Sequence, residues 1–98
     1  LPDEVKNLME IMEIKQFCKT ASIEKIDAGP KGAVLSFRNN EFANPEGLIG
    51  FIHKEAGRVR LRPDHSLLCM RRWDRQQERL DGVRDLVSTL ARIAAASE

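Results

Sequence analysis

The sequence predicts an α+β domain in the order α-β-β-α-β-β-α, with two β-hairpins in a small antiparallel sheet packed with helices. Three observations predict it. Apolar residues recur at helical spacing in three segments. Four short stretches between them have strand character, and the clearest alternate with a period of two. Each strand pair is split by a turn signal, Gly29-Pro30-Lys31-Gly32 in one and Pro63-Asp64-His65-Ser66 in the other. Links this short join antiparallel strands. Ninety-eight residues make one domain at most.

The first helix opens at Pro2, with Asp3 and Glu4 at its positive end. Val5, Leu8, Met9 and Met12 recur at helical spacing. From Ile14 the apolar set becomes Ile14, Phe17, Cys18 and Ala21, on the other side of an ideal helix. Such a helix either bends or is contacted on two sides. A hairpin is predicted from about residue 24 to 38, with Ala33, Leu35 and Phe37 on one face. Asn44-Pro45-Glu46 starts a short second helix: an N-cap, a proline at its first position and an acid in its first turn. Leu48, Ile49, Phe51 and Ile52 supply its apolar stripe, and Gly57 ends it. Arg58-Val59-Arg60-Leu61-Arg62 alternates and pairs with Leu67-Leu68-Cys69-Met70 in a second hairpin. Asp74 with Gln77 resembles a capping box for a last helix over about 75–95. Leu80, Val83, Val87, Leu90 and Ala94 form its stripe, and Gly82 inside it costs about 1 kcal/mol relative to Ala.

Composition excludes several classes. Hydrophobic residues are 42%, charged residues 32% and the net charge is +1, ordinary values for a globular domain. No run reaches the roughly 18 apolar residues of a membrane span. Cys18 and Cys69 are too few for a disulfide framework and have no histidine at zinc-ligand spacing. They read as buried, reduced thiols. The first residues, Leu1-Pro2-Asp3-Glu4, are no targeting signal. With Leu at position 1, the chain is expected to be one domain cut from a larger protein. Gly29–Gly32 lacks the spacing of a phosphate-binding loop, and no nucleophile elbow occurs. His53 reads as a solvated helix residue and His65 as turn chemistry. No catalytic, cofactor-binding or metal-binding residue is assigned.

The distribution of charge says more than its total. Residues 58–75 hold Arg58, Arg60, Arg62, Arg71, Arg72 and Arg75 against Asp64 and Asp74, a net of +4. The other eighty residues carry ten basic and thirteen acidic side chains. Arginine makes bidentate contacts to carboxylate and phosphate. Trp73 lies among these arginines, and Trp and Arg are frequent interface anchors. Arg58, Arg60, Arg62, Arg71, Arg72 and Trp73 are therefore the candidate partner-binding residues. Three readings stand: an acidic protein partner, a nucleic-acid backbone, or a solvated face. With no Tyr and no pair of aromatics at strand spacing, single strands and RNA have no stacking platform.

Leu1-Pro2-Asp3-Glu4-Val5-Lys6-Asn7-Leu8, followed by Lys25-Ile26-Asp27-Ala28-Gly29-Pro30-Lys31-Gly32, resembles the C-terminal domain of bacterial transcription-repair coupling factors. That family shows L-P-x-E-V-x-N-L, a helix, and a K-I-D-A-G-P-K-G hairpin turn. Asn44-Pro45 with Leu48-Ile49 resembles its second helix start. The resemblance covers residues 1 to about 70, and from Arg71 only the helical character matches. It implies a cytoplasmic parent, an ATP-driven helicase-like DNA translocase that displaces stalled RNA polymerase and recruits UvrA for nucleotide excision repair. ATP and magnesium are expected in the parent's motor and no cofactor in this domain. Residues 1–98 would be the terminal regulatory domain, docked on the UvrB-like module of the same chain and masking its UvrA-binding surface. The alternative is an accessory domain that sets the arginine-rich sheet face on the phosphates of double-stranded DNA. The residues of the hairpin motif either encode the turn or make contacts, and no clamp contact maps onto a particular residue by motif.

Overall fold

A computed structural model describes residues 2–96. The order is α1 (Asp3–Ala21), β1 (Ile23–Gly29), β2 (Gly32–Phe37), a 3-10 turn (Arg38–Asn40), α2 (Pro45–Lys54), β3 (Val59–Leu61), β4 (Leu67–Met70) and α3 (Gln76–Ala95). The strands form one antiparallel sheet in the order β1-β2-β4-β3. The hairpins meet through β2 and β4, which gives the α+β architecture that the sequence predicts.

Most element ends follow local chemistry, but α2 stops at Lys54 with Glu55 as its C-cap, before the expected Gly57. Pro2 supplies the carbonyl for the Lys6 N–H at 3.1 Å, and Ser22 closes α1 in the left-handed region at φ 59°. Between them α1 is one uninterrupted helix of 19 residues. Its two apolar sets stay on opposite sides. Ile14, Phe17, Cys18 and Ala21 meet the core, whereas Val5, Leu8, Met9 and Met12 are exposed. In the first hairpin Gly29 faces Gly32 across a two-residue tip. Gly32 has φ +134°, and a Cβ there would lie 2.0 Å from the Cys69 carbonyl oxygen. The second glycine of the turn is thus required by the close approach of β4.

In the second hairpin the Asp64 carboxylate accepts the Ser66 hydroxyl and its N–H. Those bonds hold Asp64 below the usual carboxylate range. Asn44 caps α2, accepting the Gly47 N–H at 3.1 Å, and its amide donates to the Ile93 carbonyl at 3.0 Å. One side chain thereby starts α2 and ties it to the end of α3. The start of α3 differs from the expected Asp74–Gln77 box. Glu78 accepts the Arg75 N–H at 3.1 Å, and Asp74 instead pairs with Arg72 at 3.3 Å. Glu78 reaches back as an N3 acid does, so the capping position is one residue later than expected.

The core lies on one side of the sheet. Ala33, Leu35, Phe37, Val59, Leu67 and Cys69 are buried there against Val83, Leu86, Val87, Leu90 and Ala94 of α3. Register places Asp27, Val34, Leu68 and Arg60 in one cross-strand row on the opposite side. None of these four is buried.

Candidate functional site

The uncovered sheet face carries the candidate arginines. Arg60 sits at its β3 edge, outward because Val59 turns inward. Beyond β4 the backbone stays attached to the first hairpin: the Arg71 N–H donates to the Lys31 carbonyl and the Trp73 N–H to the Pro30 carbonyl, both at 2.9 Å. These bonds place the Pro30–Lys31 tip beside Arg71 and Arg72. A shallow depression of 890 Å³ results, its basic lining being Lys31, Arg58, Arg71 and Arg72 and its floor Leu68 and Met70. Asp74 lies at its rim and holds Arg72. Arg58 pairs with Glu55 at 3.7 Å, and Arg71 donates to the Met70 carbonyl at 2.9 Å.

Fold therefore gathers three of the five predicted arginines and adds Lys31, which charge counting along the chain assigns to a turn. Arg60 and Arg62 lie outside the depression. Trp73 does not join them. It is only 8% exposed, and its indole packs on Gly82, where a Cβ would come within 2.3 Å of the ring. The expected interface anchor is a core residue, and Gly82 is the space that accepts it. The arrangement suits a planar anion: guanidinium forks over an apolar floor, with weak exposed ion pairs that separate at small cost.

The remaining chemistry is structural. Burial pushes the Cys69 thiol up to about 11 and also raises Cys18, so both are poor nucleophiles near neutral pH. Among the described residues no three His, Cys, Asp or Glu side chains gather as metal ligands, and no helix is long and apolar enough to cross a membrane. Among the described residues one carboxyl side chain is buried away from the sheet. Glu10 of α1 is 5% exposed, its Oε2 accepts no protein N–H or O–H, and Asp81 of α3 stands beside it. A hydrogen bond shared with Asp81, reinforced by burial, pushes the Glu10 carboxyl up, and the same bond, with one from Gln77, holds Asp81 down. Of the two carboxyls, Glu10 is therefore the one that takes up a proton first as pH falls. Its only sequence signal is its place on the face of Ile14, Phe17 and Ala21.

Comparison with known sequences gives the family. A family model described as the TRCF domain matches residues 1–48. The transcription-repair-coupling factor of Haemophilus influenzae is 32% identical over 91 residues, 93% of this chain. By sequence the chain belongs with the transcription-repair-coupling factors. The Escherichia coli factor is 28% identical over 96 residues, 98% of the chain, and that of Rickettsia bellii 30% identical over 73 residues, 74% of it. Alignments of 91 and 96 residues extend the family likeness past Arg71 into α3. The chain spans 8% of the length of the first two relatives and 6% of the third.

Proposed function

We propose that this chain is a docking domain of a transcription-repair coupling factor, one that covers the UvrA-binding module of its parent until stalled RNA polymerase is engaged. The parent is on this reading a cytoplasmic, ATP-driven DNA translocase, and its motor, with ATP and magnesium, lies outside these residues. The observation that carries the reading is the basic depression, formed where the family's hairpin tip meets the residues after β4. Exposed arginines around a shallow apolar floor bind a carboxylate-bearing surface without locking it. Tethering then supplies the effective concentration that such a weak contact needs.

The test is titration calorimetry of this domain against the UvrB-like module of its parent, with Arg58, Arg71 and Arg72 each changed to Glu. Binding lost on charge reversal supports the reading. Binding that survives removes the depression from the interface. The same depression also fits phosphate, so a salt titration with duplex DNA separates the alternative. Micromolar affinity with a steep salt slope favours an accessory DNA-binding role, and no binding at low salt eliminates it.

A further inference from the structure

A second surface carries different chemistry. Val5, Leu8, Met9 and Met12 project from the first half of α1, with Leu8 58% and Met12 63% exposed. Their spacing of three and four makes one continuous ridge, opposite the residues that meet the core. The ridge is continuous through Ile11 with a groove of 590 Å³ between α1, β1 and the start of α3, where Ile11, Ile14, Ile26, Leu80 and Val83 form the wall. A helix needs one apolar stripe to join a core, and α1 has two. Methionines on the second give it a surface that adapts to a partner.

We propose that this ridge and groove receive an amphipathic helix of the longer coupling-factor polypeptide, apolar on one face and acidic along its flank. The inference rests on the family reading above but not on the arginine face. Three observations choose the occupant. Lys15 and Lys19 continue the line of Leu8 and Met12 at helical spacing, and among the described residues neither has an ion-pair partner. Arg79 borders the groove, its guanidinium donating to the Trp73 and Asp74 carbonyls with no carboxylate among the described residues to offset its charge there. Both features call for carboxylates beside an apolar stripe. A second copy answers them poorly: parallel pairing sets lysines against lysines, and antiparallel pairing brings Asp3 and Glu4 to the lysines only by sliding the two ridges out of full overlap. Size points the same way. Four ridge side chains on about two turns of one helix fall short of the roughly 20–30 residues a side of a stable free interface. A tethered segment needs less, and the relatives carry more than nine-tenths of their length outside the aligned region.

Methionine oxidation by dilute hydrogen peroxide, read by peptide mass spectrometry, tests this. Met9 and Met12 report on the ridge, and Met70 reports on the floor of the arginine depression. Both rates are measured in the 98-residue chain, its folding checked by circular dichroism, and in the full-length factor. Met9 and Met12 are expected to oxidise at least about tenfold more slowly in the full-length factor, since a buried thioether is shielded from peroxide. Changing Lys15 and Lys19 together to Glu should restore most of the lost rate. Equal rates in both proteins overturn the inference. So does protection in the short chain that grows with its own concentration, which would make a second copy the occupant. The rate at Met70 separately tests the arginine-face reading, so the two fail independently.

Discussion

α1 and α3 are nearly the same length, 19 and 20 residues, and they pack against each other. They use their apolar residues in opposite ways. In α3 the stripe of Val83, Val87, Leu90 and Ala94 is buried, and Leu80 at its start is half-buried beside the groove. In α1 the second half does the packing, and the first half leaves an equal set outside. Folding of the domain selects α3, so its residues should be intolerant. The exposed set of α1 contributes little to folding and needs a different explanation. Truncation should separate the two most strongly. Leu90→Ala removes a fully buried side chain and should cost about 2–5 kcal/mol in urea unfolding. Leu8→Ala should stay within about 0.5 kcal/mol. A large loss from Leu8→Ala would place the ridge in the folding core and undo the comparison.

The next effect sharpens the account of α3. Alanine is the better helix former by about 1 kcal/mol, yet Gly82→Ala should destabilise by about 1–3 kcal/mol. Its Cβ would fall 2.3 Å from the Trp73 indole, and Trp73 is itself held in the core. Thermal melts that rise on this substitution would show that the indole yields. Asn44→Ala should cost about 1 kcal/mol through the lost cap of α2. It should also loosen the last turn of α3, because the bond to the Ile93 carbonyl is lost too. Faster hydrogen exchange in that turn is the specific sign.

The residues read correctly in the sequence are those whose structure is decided locally. Asn44-Pro45 starts a helix, and Gly29–Gly32 makes a two-residue hairpin tip, whatever surrounds them. The errors lie where long-range packing decides. A tryptophan among six arginines suggests an interface, but residues 71–73 hydrogen-bond to the hairpin tip and the indole goes inside against Gly82. The same pairing brings Lys31 to Arg71 and Arg72, which no count along the chain shows. For α1 both apolar stripes are visible in the sequence. Which of them meets the core depends on where β1 and α3 lie, and spacing does not contain that.

The smallest effect lies where the two helices meet. Glu10 and Asp81 stand together between α1 and α3, with Lys6 and Arg84 offsetting part of their charge. The folded domain raises the Glu10 carboxyl above its ordinary 4.5. Its contribution to stability is therefore complete below that value and is lost as pH rises through the folded-state value. Asp81 is depressed below its ordinary 3.8, so its contribution is present above that value and is lost as pH falls through the lower one. The pair stabilises most between these limits, and on the alkaline side two carboxylates face each other across the interface. Glu10→Gln keeps a donor for Asp81 and removes the titration. The urea midpoint of the unaltered domain should fall as pH rises from the ordinary 4.5 through the raised Glu10 value, and that of Glu10→Gln should fall less. Equal slopes would mean that titration of Glu10 does not set the pH dependence, and would remove the pair from the account. Because the groups that act on the pair, Lys6, Gln77 and Arg84, all come from α1 and α3, the alkaline loss should appear first as exchange of the amides in the first half of α1. That half is the part of the helix least held by the core, so the proton and the exposed ridge report on the same loosely anchored segment.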